Sequence, residues 1–210
     1  MEERTTRTIS RRWPLVSGVT AVVLAVALGL LIAVREKNLP LGFDAEWMEE
    51  VVEHRNPLWE APSLVMNFLG GGWFAVFVVP LVVLALLLAF RRYAAAVYFA
   101  VAVLLSVGVV QLLKQTMGRP RPLDILVVSD TGSFPSGHVA NAATLAVVIG
   151  IIMQRGWVWV AGIVYTILMM LSRTYLGAHW VSDTIGGALV GAGVAVIVWA
   201  PLALRLERER

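Results

Sequence analysis

Six runs of predominantly apolar residues, near 14–34, 72–90, 93–113, 137–153, 157–175 and 183–204, constrain this chain more than any other feature. About 20 such residues in a helix cross the hydrocarbon layer of a bilayer. A segment in lipid must satisfy its own backbone hydrogen bonds, which leaves helices and closed barrels. The runs are continuously apolar and do not alternate, so they read as helices. The expected fold is all-α: a polytopic membrane protein, a six-transmembrane-helix bundle forming one domain over residues 1–210. With 59% hydrophobic and 15% charged residues, an ordinary soluble domain is excluded. The net charge of +3 follows from loop cations and gives no sign of nucleic-acid binding.

The first run follows a basic start and contains Ala-Val-Ala at 25–27, the pattern of a cleavable signal peptide. Its apolar length, continuing to Val34, favours an uncleaved span. Ten of the 17 Lys and Arg residues, Arg91, Arg92 and Arg155 among them, then fall on the side of the N-terminus. That excess predicts cytoplasmic N- and C-termini in a cell or inner membrane. Trp13, Trp73, Trp157, Trp180 and Trp199 fall near the predicted helix ends, where amphipathic rings favour the interface. Residues 35–71 are too polar to cross. Within them, Asp44 is placed to cap a short interfacial helix in the first extracytoplasmic loop, with Trp47, Met48, Val51 and Val52 on one face, lying along the outer surface or, given its acidic character, packed on the bundle. His54 reads as a solvated surface residue.

The remaining cations are crowded on the side where the charge rule keeps them sparse. Under this topology the helix ends near 114, 136 and 175–183 all face outward, and each carries a polar cluster. The first is Lys-Gln-Thr-Met-Gly-Arg-Pro-Arg-Pro at 114–122, where Pro120 and Pro122 stiffen the loop around Arg121. The second is Ser-Phe-Pro-Ser-Gly-His at 133–138. Ser136 stands near a helix cap and Gly137 allows close backbone approach, and the free N–H groups of a helix start attract anions. His138 lies in the first turn of that helix. The third is Ser-Arg-Thr-Tyr-Leu-Gly-Ala-His-Trp-Val-Ser-Asp at 172–183. The i, i+4 spacing of His179 and Asp183 would let a carboxylate on the same helix hold one ring nitrogen and leave the other outward.

An unpaired polar group costs roughly 2 to 7 kcal/mol in hydrocarbon, so these clusters call for a function. Lys114, Arg121, Arg173 and a helix N-terminus suit the oxygens of a tetrahedral phosphate dianion. A neutral imidazole can attack phosphorus, and a protonated one can supply the leaving oxygen's proton. Asp124, Asp130 and Asp183 offer no zinc or two-metal spacing with the histidines, so no metal or other cofactor is expected.

Three motifs carry a family resemblance. They are Lys114, six residues, Arg121-Pro122; Pro135-Ser136-Gly137-His138; and Ser172-Arg173, five residues, His179, three residues, Asp183. In type and order they resemble the type 2 phosphatidic acid phosphatase and vanadium haloperoxidase superfamily, in its membrane-integrated branch of bacterial type. The motif-bearing core runs over residues 114–183. The resemblance implies a metal-independent lipid phosphate phosphatase with His179 as nucleophile, Asp183 orienting it and His138 as general acid. It implies that Lys114, Arg121, Ser136, Gly137 and Arg173 bind phosphate, and that phosphatidic acid, phosphatidylglycerol phosphate or undecaprenyl pyrophosphate is the substrate. Arg119 lies outside the pattern and reads as a head-group contact.

The competing readings are a membrane lipid or anion transporter and a non-catalytic phosphate-lipid binding protein. A transporter places its polar groups at mid-membrane depth, whereas these lie at helix ends, with Asn141 the deepest. Gly187 and Gly191 form a Gly-x-x-x-Gly whose expected use is close packing within the chain, favouring a monomer.

Overall fold

The computed structural model describes residues 12–35, 40–128 and 132–209. Arg4, Arg7, Arg11, Lys37, Asp130 and Arg210, which enter the charge and metal arguments above, lie outside the described residues. The chain is all-helical there: α1 (Arg12–Ala33), α2 (Gly42–Glu53), α3 (Pro57–Gly70), a π-helical turn (Phe74–Val78), α4 (Val79–Ala89), α5 (Tyr93–Met117), α6 (Gly137–Met153), α7 (Gly156–Tyr175) and α8 (Val181–Arg208).

Four helices, α1, α5, α7 and α8, are long and apolar enough to cross a membrane. The pair of α3 with the π-turn and α4, bent by 41° at its break, makes a fifth candidate. The sixth expected span, α6, has only 17 residues and packs against α5, α7 and α8. Its sequence is apolar on every side because neighbours surround it; Val139, Ala142 and Val148 are wholly buried. By contrast, the outward sides of α1, α3, α4 and α7 present large apolar residues such as Leu24, Phe68, Leu81 and Ile163. A soluble protein would not expose so many, so this is a multi-pass membrane protein.

The structure differs from the sequence expectation over residues 35–71. Only α2 was expected there, yet a second helix, α3, starts immediately after it. Asn56 caps α3, its Oδ1 accepting from the amides of Leu58 at 3.1 Å and Trp59 at 3.4 Å, and Pro57 takes the first turn. The polar residues Asn56, Glu60 and Asn67 lower the local hydropathy and conceal a helix that carries Leu58, Val65 and Phe68 outward. Asp44 serves the start of α2 from inside the helix, the N-cap itself being Leu41. The acid is the third helical residue, wholly buried, and accepts the Leu41 amide at 3.3 Å. The helix it belongs to packs on α7 and α8.

Helix α8 is the axis of the bundle, in contact with α1, α5 and α6. Its Gly-x-x-x-Gly is used against α6: a Cβ on Gly187 or Gly191 would overlap the carbonyl oxygen of Ser136 or Ala140. This close backbone approach sets the start of α6 beside the start of α8, and both carry the histidine motifs.

Candidate active site

The last turn of α5, the described loop residues 118–128 and 132–136, the start of α6 and the α7–α8 connection meet at one end of the bundle. Lys114, in the last turn of α5, is buried and donates from Nζ to the Gly132 carbonyl at 2.8 Å. Arg121 donates to the same carbonyl at 2.9 Å through one nitrogen. Its other terminal nitrogen donates to the Ala178 carbonyl and lies 3.3 Å from His179 Nε2. Two cations from different parts of the chain are thus anchored on one peptide group. Arg173, 1% exposed in the last turn of α7, donates to Asn67 Oδ1 on α3.

His179 is 2% exposed and its ring is contacted at both nitrogens. Nδ1 lies 2.8 Å from the Ser133 carbonyl and 3.6 Å from Asp183 Oδ2. A carbonyl only accepts, so this contact places the ring hydrogen on Nδ1 and leaves a lone pair on Nε2, beside Arg121. Burial drives the ring's pKa down from 6.5 to about 4, Arg173 and Arg121 acting in the same direction and Asp183 against it. The ring is therefore neutral at physiological pH.

The i, i+4 relation of His179 and Asp183 is not made on one helix, as the spacing suggested. His179 sits in the connection ahead of α8, whose cap is Trp180, and Asp183 is the third residue of the helix. The Asp183 carboxylate takes the Trp180 amide at 2.9 Å, the Ser133 hydroxyl at 2.5 Å and Arg119 at 2.5 Å. The main-chain carbonyl of Ser133, not the carboxylate, is the nearer partner of the ring.

Ser136 is the cap residue of α6 as expected, but its hydroxyl makes no capping bond; Oγ is buried without a protein partner. A buried hydroxyl lacking a partner at a helix start is suited to a ligand oxygen. Gly137 opens α6 and His138 follows it, half-buried. The His138 ring reaches the Asn67 carbonyl and is close enough to Arg173, His179 and Lys114 to feel their charge. It also lies against the break between α3 and the π-turn, where a Cβ on Gly71 would overlap the ring. Next to it is a cavity of about 200 Å³ lined by Gly70–Gly72, Gln111, His138 and Asn141, with Val103 and Val107 deeper. A larger cavity of about 620 Å³ among α2, α3 and α7 contains none of these groups.

All eight residues singled out by the motifs therefore lie at one end of the bundle. Arg119 does not belong to the surface, contrary to its reading as a head-group contact. It is 1% exposed and bonded to Asp44 at 2.8 Å, Ser182 Oγ at 2.7 Å and Asp183. Lipid cannot reach it. Sequence reasoning missed Asp44, Asn67, Gly71 and Ser133. The weak signals were an acid set among apolar residues, a triple glycine ahead of an apolar run, and a serine opening the second motif.

Known proteins resemble this chain in sequence and fold. A family model described as PAP2 superfamily matches residues 95–205. An undecaprenyl-diphosphatase of Sulfolobus acidocaldarius is 32% identical over 127 residues, 55% of this chain and 59% of that one. Phosphatidylglycerophosphatase B of Bacillus subtilis is 35% identical over 91 residues, 39% of this chain and 45% of that one. The matches thus span about half the length of these relatives. Among solved structures, a transmembrane PAP2-type phosphatidylglycerolphosphate phosphatase from Bacillus subtilis superposes with a TM-score of 0.76 at 23% identity, over 87% of this chain and 94% of its own. The crystal structure of Aquifex aeolicus LpxE gives 0.66 at 27% identity, over 75% and 95%.

Proposed function

Because this chain belongs to the PAP2 superfamily, which a family match over more than half of it establishes, we propose that it is a metal-independent phosphatase of membrane lipid phosphates. The observation that carries this reading is the His179 ring, held at Nδ1 by the Ser133 carbonyl, with its Nε2 lone pair facing the Arg121 guanidinium at 3.3 Å.

In the proposed reaction, Lys114, Arg121 and Arg173 grip the non-bridging oxygens, joined by Ser136 Oγ and the amides at the start of α6. Phosphoryl transfer depends mainly on such positioning and charge. The Nε2 lone pair of His179 bonds to phosphorus as the bond to the leaving oxygen breaks, and protonated His138 passes its proton to that oxygen. A phosphohistidine and a neutral His138 result. Water then attacks phosphorus, the N–P bond breaks, and His138 takes the water's proton, which regenerates both histidines and releases inorganic phosphate. Asp183 stabilises the positive charge the ring carries in between.

The relatives' names support a lipid pyrophosphate or a glycerophospholipid monoester as substrate, undecaprenyl pyrophosphate or phosphatidylglycerol phosphate; the motif resemblance adds phosphatidic acid. The site lies where helices end and apolar surface begins, so a phosphate can enter while its tails remain in lipid. We place six spans in the membrane, counting α6 and the bent pair, as a monomer with both termini cytoplasmic and the site on the extracytoplasmic side of the cell membrane. The α2 helix then lies at the outer interface. One domain accounts for all of it.

Phosphate release by purified protein in detergent, with excess chelator and a panel of the three lipids, tests the proposal. Turnover that survives the chelator and disappears in His179→Ala supports it. A folded protein inert toward all three lipids rejects it and favours a binding or transport role.

A further inference from the structure

Among the described residues, Arg119 and Arg173 are the largest side chains with under 2% exposure. Only Arg173 belongs to the motifs; the other arginine has no place in the reaction described so far. Its surroundings give it one. Arg119 Nη1 donates to Asp183 Oδ1 and to Ser182 Oγ, and Nη2 donates to Asp44 Oδ2; the Arg119, Asp44 and Asp183 side chains are all 0% exposed. Asp44 also accepts the Ser182 amide at 2.9 Å and its hydroxyl at 2.6 Å, so a carboxylate from α2 satisfies the start of α8.

Ser133 connects this group to the histidine. Its amide donates to the Arg119 carbonyl at 2.8 Å, its hydroxyl to Asp183 and its carbonyl accepts from His179 Nδ1 at 2.8 Å. Arg119 thus grips the residue that orients the ring from two directions, once through its own backbone and once through Asp183. Charge adds a second effect. One guanidinium between two carboxylates leaves a net charge of −1 in a site closed to water. If Asp44 were neutral, Arg119 would cancel Asp183, and the ring would face no net negative charge as it becomes positive. In a low-dielectric surrounding that difference is large.

We propose that Arg119 and Asp44 are positioning residues for the phosphoryl-transfer site: they hold Ser133 and Asp183 against His179, and Asp44 supplies the excess negative charge that Asp183 presents to the ring. The α2 helix, 75 residues before its partner arginine, is then part of the reaction machinery and not merely a lid on the bundle.

This rests on the proposed phosphatase activity, and the experiment separates the two. The full-length parent, His179→Ala, Asp44→Asn and Arg119→Lys are purified in detergent, their melting is recorded, and kcat and KM are measured on whichever of the three lipids the parent turns over fastest. Asp44→Asn keeps size and one acceptor oxygen while removing the charge and the second acceptor; Arg119→Lys keeps charge while losing the fork. Each is expected to lower kcat by about 10- to 100-fold, as removal of a partner behind a reacting group does, with KM within about threefold, because neither side chain touches phosphate. A folded variant with kcat within about twofold of the parent overturns the inference, as does a loss confined to KM. Should either substitution prevent folding, the paired Asp44→Asn/Arg119→Gln, which removes equal and opposite charges and so leaves the net −1 in place, tests the positioning of Ser133 and Asp183 by the same kinetic criterion. An inert parent would instead refute the phosphatase reading.

Discussion

A methyl group at Gly71 should disable the proton donor and leave the nucleophile alone. Gly71 has φ −144° and ψ −172°, extended backbone that any residue adopts, so Gly71→Ala imposes no main-chain strain. Its effect is steric. The new Cβ would overlap three atoms of the His138 ring, the farthest of them only 2.8 Å away, whereas ordinary contacts begin at 3.4 Å. To make room the ring must retreat by more than about 1 Å, and a misplacement of that size costs on the order of 10²-fold in rate. Overpacking costs about 1 to 3 kcal/mol of stability besides, offset in part by about 0.4 to 1 kcal/mol from the stiffer unfolded chain, so the protein should still fold. The assay compares two leaving groups in detergent: phosphatidic acid, whose alkoxide needs a proton, and p-nitrophenyl phosphate, whose phenolate hardly does. The lipid reaction should slow by about 10²-fold and the aryl ester by much less, since it relies less on general acid catalysis. Equal losses on both, or an unchanged kcat on the lipid, would show that His138 does not act as the acid in this position.

Three further outcomes follow from the same geometry. His179→Ala should abolish turnover while melting stays within a few degrees, and brief reaction of the parent with labelled substrate followed by alkaline quenching should trap an acid-labile phosphoprotein; its absence would remove His179 as nucleophile. In histidine-selective 15N spectra, the His179 resonances should stay those of a neutral ring down to pH 5 and move near pH 4. The folded pKa is depressed, so the unfolded chain takes up the proton first, and stability should decline as pH falls from 6.5 to about 4; movement centred near 6.5 would contradict a buried ring. Arg121→Ala should lower kcat/KM by about 10² to 10³, with Arg121→Lys recovering only part of it, because a lysine cannot hold the Gly132 and Ala178 carbonyls and phosphate oxygens together.

Much of this protein is legible in its sequence because two of its controlling features are local. Apolar runs report helices by their length alone, and the bounds of α1, α5, α6, α7 and α8 follow them closely. The motif residues are readable because charge and imidazole are costly next to lipid, so their presence at the ends of apolar runs signals use. Helix α3 escaped the same reasoning. Its few polar residues lower the average hydropathy of the window, and only packing against α7, with Ser172 Oγ donating to the Ser63 carbonyl at 2.8 Å, shows that it belongs to the bundle.

What the sequence by itself determined is therefore the class of protein, an all-helical membrane chain, and the inventory of groups available to hold and attack a phosphate. What only the tertiary structure decided is which of them touch. Asp44 and Asp183 are separated by most of the chain, yet share the Arg119 guanidinium; the ring expected to lean on Asp183 has the Ser133 carbonyl as its nearer partner, at 2.8 Å against 3.6 Å. No periodicity encodes such pairings. Burial does: once α2, α8 and the loop residues around Arg119 and Ser133 close on one another, each charge deprived of water must take the partner that packing brings within reach.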